Sequence, residues 1–256
     1  MNFLPYLAFL FGLCLGSFLN VVIYRLPIGL SVVVPRSFCP FCGHSLSWYE
    51  NIPLLSYLFQ KGRCRRCSAK IPLRYPAVEF LAGALAFYLV AKFGLTAPAF
   101  IFYVFSLLLL ASSFIDLEHR IIPDELSLGG LLVGLALSPF NPLVDPESAF
   151  LGALCGAGGL YLLGELYFWL RGREGLGGGD CKLLAMIGSF LGPKSLLPVV
   201  FLASLSGTLG ALSIVLIKGR KISGSTSLPF GPFLALGALL VLILPDKLAD
   251  LFSPVH

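Results

Sequence analysis

The sequence has few charged residues. Only 12% of its 256 residues are Asp, Glu, Lys or Arg, whereas 57% are hydrophobic, and the mean hydropathy is +0.90. Soluble domains carry about a quarter charged residues. This deficit, spread over long apolar runs, excludes an ordinary water-soluble domain and predicts an integral membrane protein.

The sequence also lacks the alternating hydrophobicity that is typical of β-barrels. Each span is therefore predicted to be a helix, because a backbone exposed to lipid must satisfy its own hydrogen bonds. The first apolar run has no basic start and no small-residue cleavage site, and Arg25 follows it. We expect a retained span there, not a cleaved signal peptide.

Three further absences narrow the function. There is no GxGxxG loop and no βαβ pattern for a nucleotide. No internal repeat relates the two halves of the chain, as it does in many transporters. The three histidines, His44, His119 and His256, are too scattered for a catalytic cluster.

Eight apolar stretches predict an all-α polytopic membrane protein with about eight transmembrane helices. Most approach the roughly 17–25 residues that a helix needs to cross the hydrocarbon core. Three of them are short, so they either borrow flanking residues or border a water-filled cavity as half-spans. The stretches are 3–24, 77–91, 98–115, 126–140, 149–170, 182–192, 196–217 and 228–245.

The basic residues predict the orientation. With the N-terminus outside, the loops 25–76, 116–125, 171–182 and 218–227 face the cytoplasm and hold all but three of the 18 Lys and Arg residues. The exceptions are Lys92, Lys194 and Lys247. The net charge of +5 is thus explained by topology, and we do not interpret it as nucleic-acid binding.

The loop 25–76 carries four cysteines in two CxxC pairs, and this pattern predicts a structural zinc site. A closed four-thiolate site leaves no position for substrate. Two disulfides or free thiols are the alternative, which a cytoplasmic location disfavours. The predicted ligands are Cys39, Cys42, Cys64 and Cys67. We expect the remaining cysteines, Cys14, Cys155 and Cys181, to be packing residues.

Two aspartates are the candidate catalytic residues, because ionisable groups at membrane depth are expensive. Asp116 ends an apolar stretch, and Asp180 closes Gly177-Gly178-Gly179-Asp180 and opens the next. Both lie at predicted cytoplasmic ends of spans, so they can meet at one depth and share a proton. The alternative is that they only cap helices or pair with Arg120 and Lys182.

At these motifs the chain resembles the bacterial type IV prepilin peptidases, which are GxGD intramembrane aspartic proteases. The resemblance covers nearly the whole chain and includes both cysteine pairs. It departs from the family pattern at Cys181, where a hydrophobic or aromatic residue is more usual. The other matching segments are 16–27, 51–53, 56–58, 74–76, 78–79, 116–124, 177–180, 182–185 and 229–233.

The resemblance implies a bifunctional enzyme for pilus biogenesis or type II secretion. It would cut the basic leader from prepilins or pseudopilins after a glycine and N-methylate the new terminal residue from S-adenosylmethionine. Asp116 and Asp180 would be catalytic, in the bacterial inner membrane with the active site facing the cytoplasm. The domains would be a first transmembrane helix (1–24), the zinc loop (25–76) and the peptidase (77–256).

Several residues carry weaker expectations. Acidic side chains at the predicted cytoplasmic side would attract the positive leader, with a plain solvated loop face as the alternative. Glu79, at the start of an apolar stretch after a proline, is a weak candidate for the methyl-transfer site or for tying down the zinc loop, because burying an acid costs energy. The S-adenosylmethionine site itself rests on resemblance alone. The acids are Glu118, Asp124, Glu125 and Glu174.

Other classes of function stay open from the residues. A metal-regulated transporter would need matching broken helices in two halves. A membrane scaffold would use the zinc loop to bind a partner and would tolerate loss of either aspartate. A presenilin-type protease would share the GxGD motif but lack the four-cysteine loop.

Overall fold

The computed structural model describes residues 3–172, 177–218 and 229–244. Over these ranges the chain is helical, with two isolated antiparallel bridges as its extended pairings. The all-α prediction is confirmed. The helices are α1 (Leu4–Arg25), α2 (Leu55–Phe59), α3 (Arg74–Phe93), α4 (Ala97–His119), α5 (Asp124–Leu137), α6 (Pro146–Arg171), α7 (Gly178–Leu191), α8 (Leu196–Lys218) and α9 (Gly231–Ile243).

Some predicted features fall outside the described residues. Glu174, one of the acids expected to attract a leader, is among them. So are the greater part of the basic loop 218–227 and the last residues, 245–256.

The polytopic character of the chain is confirmed. Among the described residues, five helical segments are long and apolar enough to cross a membrane, and three shorter helices, α5, α7 and α9, lie in other predicted stretches. The number of spans, predicted as eight, stays a prediction. The five segments are Leu4–Ile28, Arg74–Phe93, Ala97–His119, Pro146–Arg171 and Pro193–Ser213.

The chain divides into two compact units, Met1–Ala111 and Ser112–His256. In the first unit, α1 packs along α3 at two glycines. A Cβ at Gly12 would lie 2.8 Å from the Ala86 Cβ, and one at Gly16 would lie 2.7 Å from the Glu79 Cα. Small residues four apart allow this close approach of helix backbones in membranes.

In the second unit, α7 is surrounded by protein. It packs against α5, α6, α8 and α9, and every residue from 183 to 191 is buried. Gly152 of α6 and Gly188 of α7 touch backbone to backbone, which leaves no room for a Cβ at either position. Because its neighbours shield it, a helix of only 14 residues can lie at membrane depth.

The prediction for the three remaining cysteines is largely wrong. Cys14 on α1 and Cys155 on α6 are exposed, and Cys181 is partly buried. In a membrane protein an apolar stretch has a face toward lipid as well as one toward the interior. A cysteine in such a stretch therefore need not pack inside the chain.

Candidate active site and metal centre

The two CxxC pairs form knuckles with the same backbone. The Cys39 N–H donates to the His44 carbonyl, and the Cys64 N–H donates to the Ala69 carbonyl, each at 2.9 Å. One antiparallel bridge closes each turn. The bridges join Phe38 to Ser45 and Arg63 to Lys70.

The residue after the second cysteine of each knuckle has a left-handed backbone. Its φ is 67° at Gly43 and 58° at Ser68. Glycine adopts this conformation at no steric cost, whereas serine does so less readily. The sequence therefore indicates the turn of the first knuckle, through Gly43, but not the turn of the second, where serine stands.

The four cysteine sulfurs form one cluster that fits a metal ion. All four lie within 4.8 Å of one another, and Cys39 Sγ is 3.8 Å from Cys67 Sγ. Tetrahedral zinc with Zn–S bonds of about 2.3 Å would place its sulfurs about 3.8 Å apart. The cluster can therefore hold a metal ion, and its donor set and spacing suit zinc.

The thiols are free, and one of them ionises readily. The N–H groups of Cys67 and Arg66 hydrogen-bond the sulfur of Cys64 and lower the pKa of that thiol to about 7. The thiolate is the form that binds metals. The four cysteines of the loop are free thiols in the structure, so the alternative of two disulfides is not observed.

Asp116 lies near the end of α4 and is buried, with 6% of its surface exposed. Its Oδ2 accepts a hydrogen bond of 2.9 Å from the backbone N–H of Gly231, the first residue of α9. A Cβ at Gly231 would lie 2.7 Å from this oxygen. Only a residue without a side chain allows this approach without a shift of the neighbours.

Asp180 lies in the first turn of α7, as predicted. Gly177 caps the helix in an extended conformation, and a Cβ there would lie 3.3 Å from Asp180 Oδ2. A carboxylate in the first turn is stabilised by the positive end of the helix dipole. Of the three glycines, Gly177 is the one that adjoins the aspartate side chain, whereas a Cβ at Gly178 would meet nothing within 4 Å.

The structure brings the two aspartates into one site. The charge of Asp116 acts on the Asp180 carboxyl group. The Ile122 side chain adjoins both elements, since a Cβ at Gly179 would lie 3.2 Å from its Cβ and one at Gly231 3.1 Å from its Cδ1. Two acids, a glycine N–H and an apolar side chain therefore converge here.

Ion pairing explains only part of this arrangement. Lys182 pairs with Asp124 at 2.6 Å, not with Asp180. Arg120 does act on Asp116 through its charge, from a left-handed backbone with a φ of 56°. The alternative of simple pairing is thus contradicted for Lys182 and retained in part for Arg120.

Gly231 was missed as a site residue. The segment 229–233 was noted only as part of a resemblance, and no role was assigned to it. A glycine between two prolines at the start of an apolar stretch was the available signal. Nothing local in the sequence indicates that its N–H meets Asp116.

Glu79, the weak candidate, lies in the first unit on α3. It is 8% exposed, and its Oε2 accepts a hydrogen bond of 2.8 Å from the Leu54 N–H. Leu54 has a φ of 59° and a ψ of −48°, an unusual conformation for a bulky residue. Glu79 therefore holds the loop segment that precedes α2.

Comparison with known proteins accounts for most of the chain. A model described as the bacterial peptidase A24 N-terminal domain matches residues 10–93, and the type IV leader peptidase family model matches 103–212. A protein of Stutzerimonas stutzeri named prepilin leader peptidase/N-methyltransferase is 36% identical over 94% of the chain and 91% of its own length. The chain belongs to the type IV leader peptidase family.

Two further relatives with the same name support this membership. The protein of Burkholderia pseudomallei is 38% identical over 90% of the chain and 82% of its own length. That of Myxococcus xanthus is 43% identical over 83% of the chain, which spans 63% of that relative. No solved structure gives a significant match.

The site residues fall into different family matches. The leader peptidase match includes Asp116 and Asp180, and the N-terminal match includes Glu79 and the four cysteines. Gly231 lies beyond both. The family matches therefore do not indicate its contact with Asp116, which the three-dimensional structure shows.

Proposed function

We propose that this protein cleaves the leader peptide of type IV prepilins or pseudopilins and then N-methylates the new terminal residue. The convergence of Asp116 and Asp180 in one site carries the proposal for hydrolysis. Three relatives named prepilin leader peptidase/N-methyltransferase support both activities.

The hydrolytic step follows from the two carboxyl groups. Two acids in one site share a proton, so one is a carboxylate and the other a carboxylic acid. The carboxylate takes a proton from water as the water oxygen attacks the scissile carbonyl, and the acid donates a hydrogen bond to the carbonyl oxygen. The C–N bond then breaks, and its electron pair stays on nitrogen, which takes up a proton.

Gly231 would position one of the two acids. Its N–H occupies one oxygen of Asp116, which leaves the other oxygen for water or substrate. Fixing one oxygen in this way reduces the number of orientations that the carboxyl group samples. Gly231 is a positioning residue in this scheme and Asp116 a catalytic one.

The proposed substrate is amphipathic. An apolar helix of a prepilin would lie in the bilayer with its basic leader in the cytoplasm, which places the scissile bond at the interface. Glu118 and Glu125 are exposed near Asp116 in the sequence and can attract the leader, while Asp124 is engaged by Lys182. The expected setting is the bacterial inner membrane, with the N-terminus outside and both the site and the cysteine loop cytoplasmic.

Two groups would complete the enzyme. Zinc bound by the four cysteines would stabilise the loop 25–76, since a closed four-thiolate site has a structural role. S-adenosylmethionine would supply the methyl group to the free amine of the new terminus, while its sulfur keeps the bonding electrons and becomes a thioether. The amine then releases a proton.

The test is cleavage of a purified prepilin by the wild type and by the variants Asp116→Asn and Asp180→Asn. Asp145→Asn is the matched control, since Asp145 is exposed in the loop before α6. We expect both site variants to lose cleavage, to remain folded and to methylate a pre-cut substrate. Normal cleavage by either would refute the paired-aspartate mechanism and favour a transporter or scaffold.

A further inference from the structure

The first unit contains a cavity that hydrolysis does not use. It lies between the loop 25–76 and the adjoining parts of α1 and α3. Cys39 and Cys64 are among its lining residues, so the predicted metal site borders it. Its polar lining includes Asn20 and Glu79, and its aromatic lining includes Tyr24, Tyr57 and Tyr75.

Asn20 has an acceptor without a partner in this cavity. The residue is 2% exposed, and its Nδ2 donates a hydrogen bond of 3.0 Å to the Tyr75 carbonyl. A carbonyl only accepts, so the amide orientation is fixed and the other atom is Oδ1. This buried Oδ1 has no hydrogen-bond partner. A buried acceptor without a donor is costly, and a ligand with N–H or O–H groups would satisfy it.

Glu79 supplies a second acceptor. Leu54 N–H and the Ser17 hydroxyl group hydrogen-bond its carboxyl group. A carboxylate offers about four lone-pair positions, so these two bonds leave capacity for further donors. A buried carboxylate also favours a positively charged ligand.

The other acid of the cavity, Glu50, is already engaged. It accepts the Ser47 N–H at 2.9 Å, and its Oε2 lies 3.7 Å from His44 Nε2. Arg66 donates to His44 Nδ1 at 3.2 Å, so the neutral ring carries its proton on Nε2, toward Glu50. Glu50 and Glu79 both bond the loop, but Glu50 also adjoins a histidine, so Asn20 Oδ1 and the remaining lone pairs of Glu79 are the acceptors left for a ligand.

We propose that this cavity binds S-adenosylmethionine, with Asn20 Oδ1 and the Glu79 carboxylate accepting hydrogen bonds from the methyl donor. The ligand has a positive sulfonium, an amino group, two ribose hydroxyls and an adenine ring. Buried acceptors suit the donors, the carboxylate suits the positive charge, and tyrosine rings suit the adenine. The inference rests on the proposed methyl transfer and assigns it to a site outside the aspartate pair.

The experiment measures binding directly. S-adenosylhomocysteine is titrated by calorimetry into purified full-length protein, and the variants Asn20→Ala and Glu79→Gln are compared with wild type. Glu165→Gln on the exposed surface of α6 is the matched control for Glu79→Gln. Each cavity variant should bind about tenfold more weakly or worse, as expected for a lost bond to a buried group. The control should bind as wild type does.

Two further measurements separate a binding defect from a folding defect. Prepilin cleavage and zinc content report whether each variant is folded. In the wild type alone, hydrogen exchange with and without S-adenosylhomocysteine should show slower exchange in segments 17–25 and 50–60. Protection restricted to other segments would place the ligand elsewhere and overturn the proposal.

The outcomes distinguish this proposal from the function on which it rests. Weaker binding by both cavity variants with cleavage retained supports it. If the wild type methylates and the variants bind the ligand as the wild type does, the assignment of the ligand to this cavity is wrong. The proposed function of the enzyme is then unaffected. Cleavage without methylation and without ligand binding overturns the methyl-transfer half of the function, and the cavity assignment with it.

Discussion

The N–H of Gly231 donates a hydrogen bond of 2.9 Å to Asp116 Oδ2 across 115 residues of sequence. The contact joins the start of α9 to the end of α4, so the orientation of one proposed catalytic acid depends on a distant helix. A hydrogen bond to a buried carboxylate is among the stronger ones in proteins.

Gly231→Ala should reduce prepilin cleavage about a hundredfold, since a small misplacement of a catalytic group has effects of that order. The added Cβ would lie 2.7 Å from Asp116 Oδ2 and force the carboxyl group or α9 to move. Steady-state cleavage of a purified prepilin measures the effect. Gly129→Ala in α5 is the control, because a Cβ there meets nothing within 4 Å. Equal activity of the two variants would show that Gly231 does not position Asp116 for cleavage.

Gly152→Ala should lower the free energy of unfolding by about 1–3 kcal/mol, the range for overpacking a tight contact. Gly152 meets the backbone of α7 at Gly188, and α7 carries Asp180. Thermal unfolding in detergent measures the change. Gly158→Ala lies in the same helix with nothing within 4 Å, so it should be neutral or stabilising. If both variants have the same stability, the close contact between α6 and α7 does not contribute to the free energy of unfolding.

Purified protein should contain one zinc ion per chain, and Cys39→Ser or Cys64→Ser should abolish most of it. The sulfurs of these residues belong to the cluster that spans less than 4.8 Å, and loss of one ligand opens a closed site. Metal analysis after gel filtration measures the content. Cys155→Ser, an exposed cysteine on α6, should keep the full amount. Zinc retained in both cluster variants would contradict the assignment.

Lys182→Ala should change the free energy of unfolding by less than about 1 kcal/mol, despite the short contact with Asp124. The two side chains are 41% and 58% exposed, so water and salt screen their attraction. A double-mutant cycle with Asp124→Ala isolates the pair. A coupling of several kcal/mol would show that the pair is shielded from water in the membrane.

The sequence predicts those parts of the molecule that depend on local pattern. Apolar stretches identify the helices because the bilayer imposes both length and composition. The spacing of Cys39, Cys42, Cys64 and Cys67 predicts their cluster, because two tight turns present two sulfurs each. Local sequence pattern also places Asp116 and Asp180 at helix ends, so both were predictable as site residues.

Contacts between distant segments were not predictable in this way. Lys182 is two residues from Asp180 yet pairs with Asp124, since the packing of α5 against α7 decides which acid is near. The exposed Cys14 and Cys155 show a second limit, because lipid and protein interior are both apolar. Hydrophobicity therefore does not reveal which face of a span is inside.

The cysteine cluster also forms one wall of the cavity in the first unit, through Cys39 and Cys64. Binding of a structural metal contributes directly to the folding of its loop. If that cavity holds the methyl donor, zinc starvation would abolish methylation while the aspartate pair continued to cut. The metal supply of the cell would then set the ratio of methylated to unmethylated pilin ends.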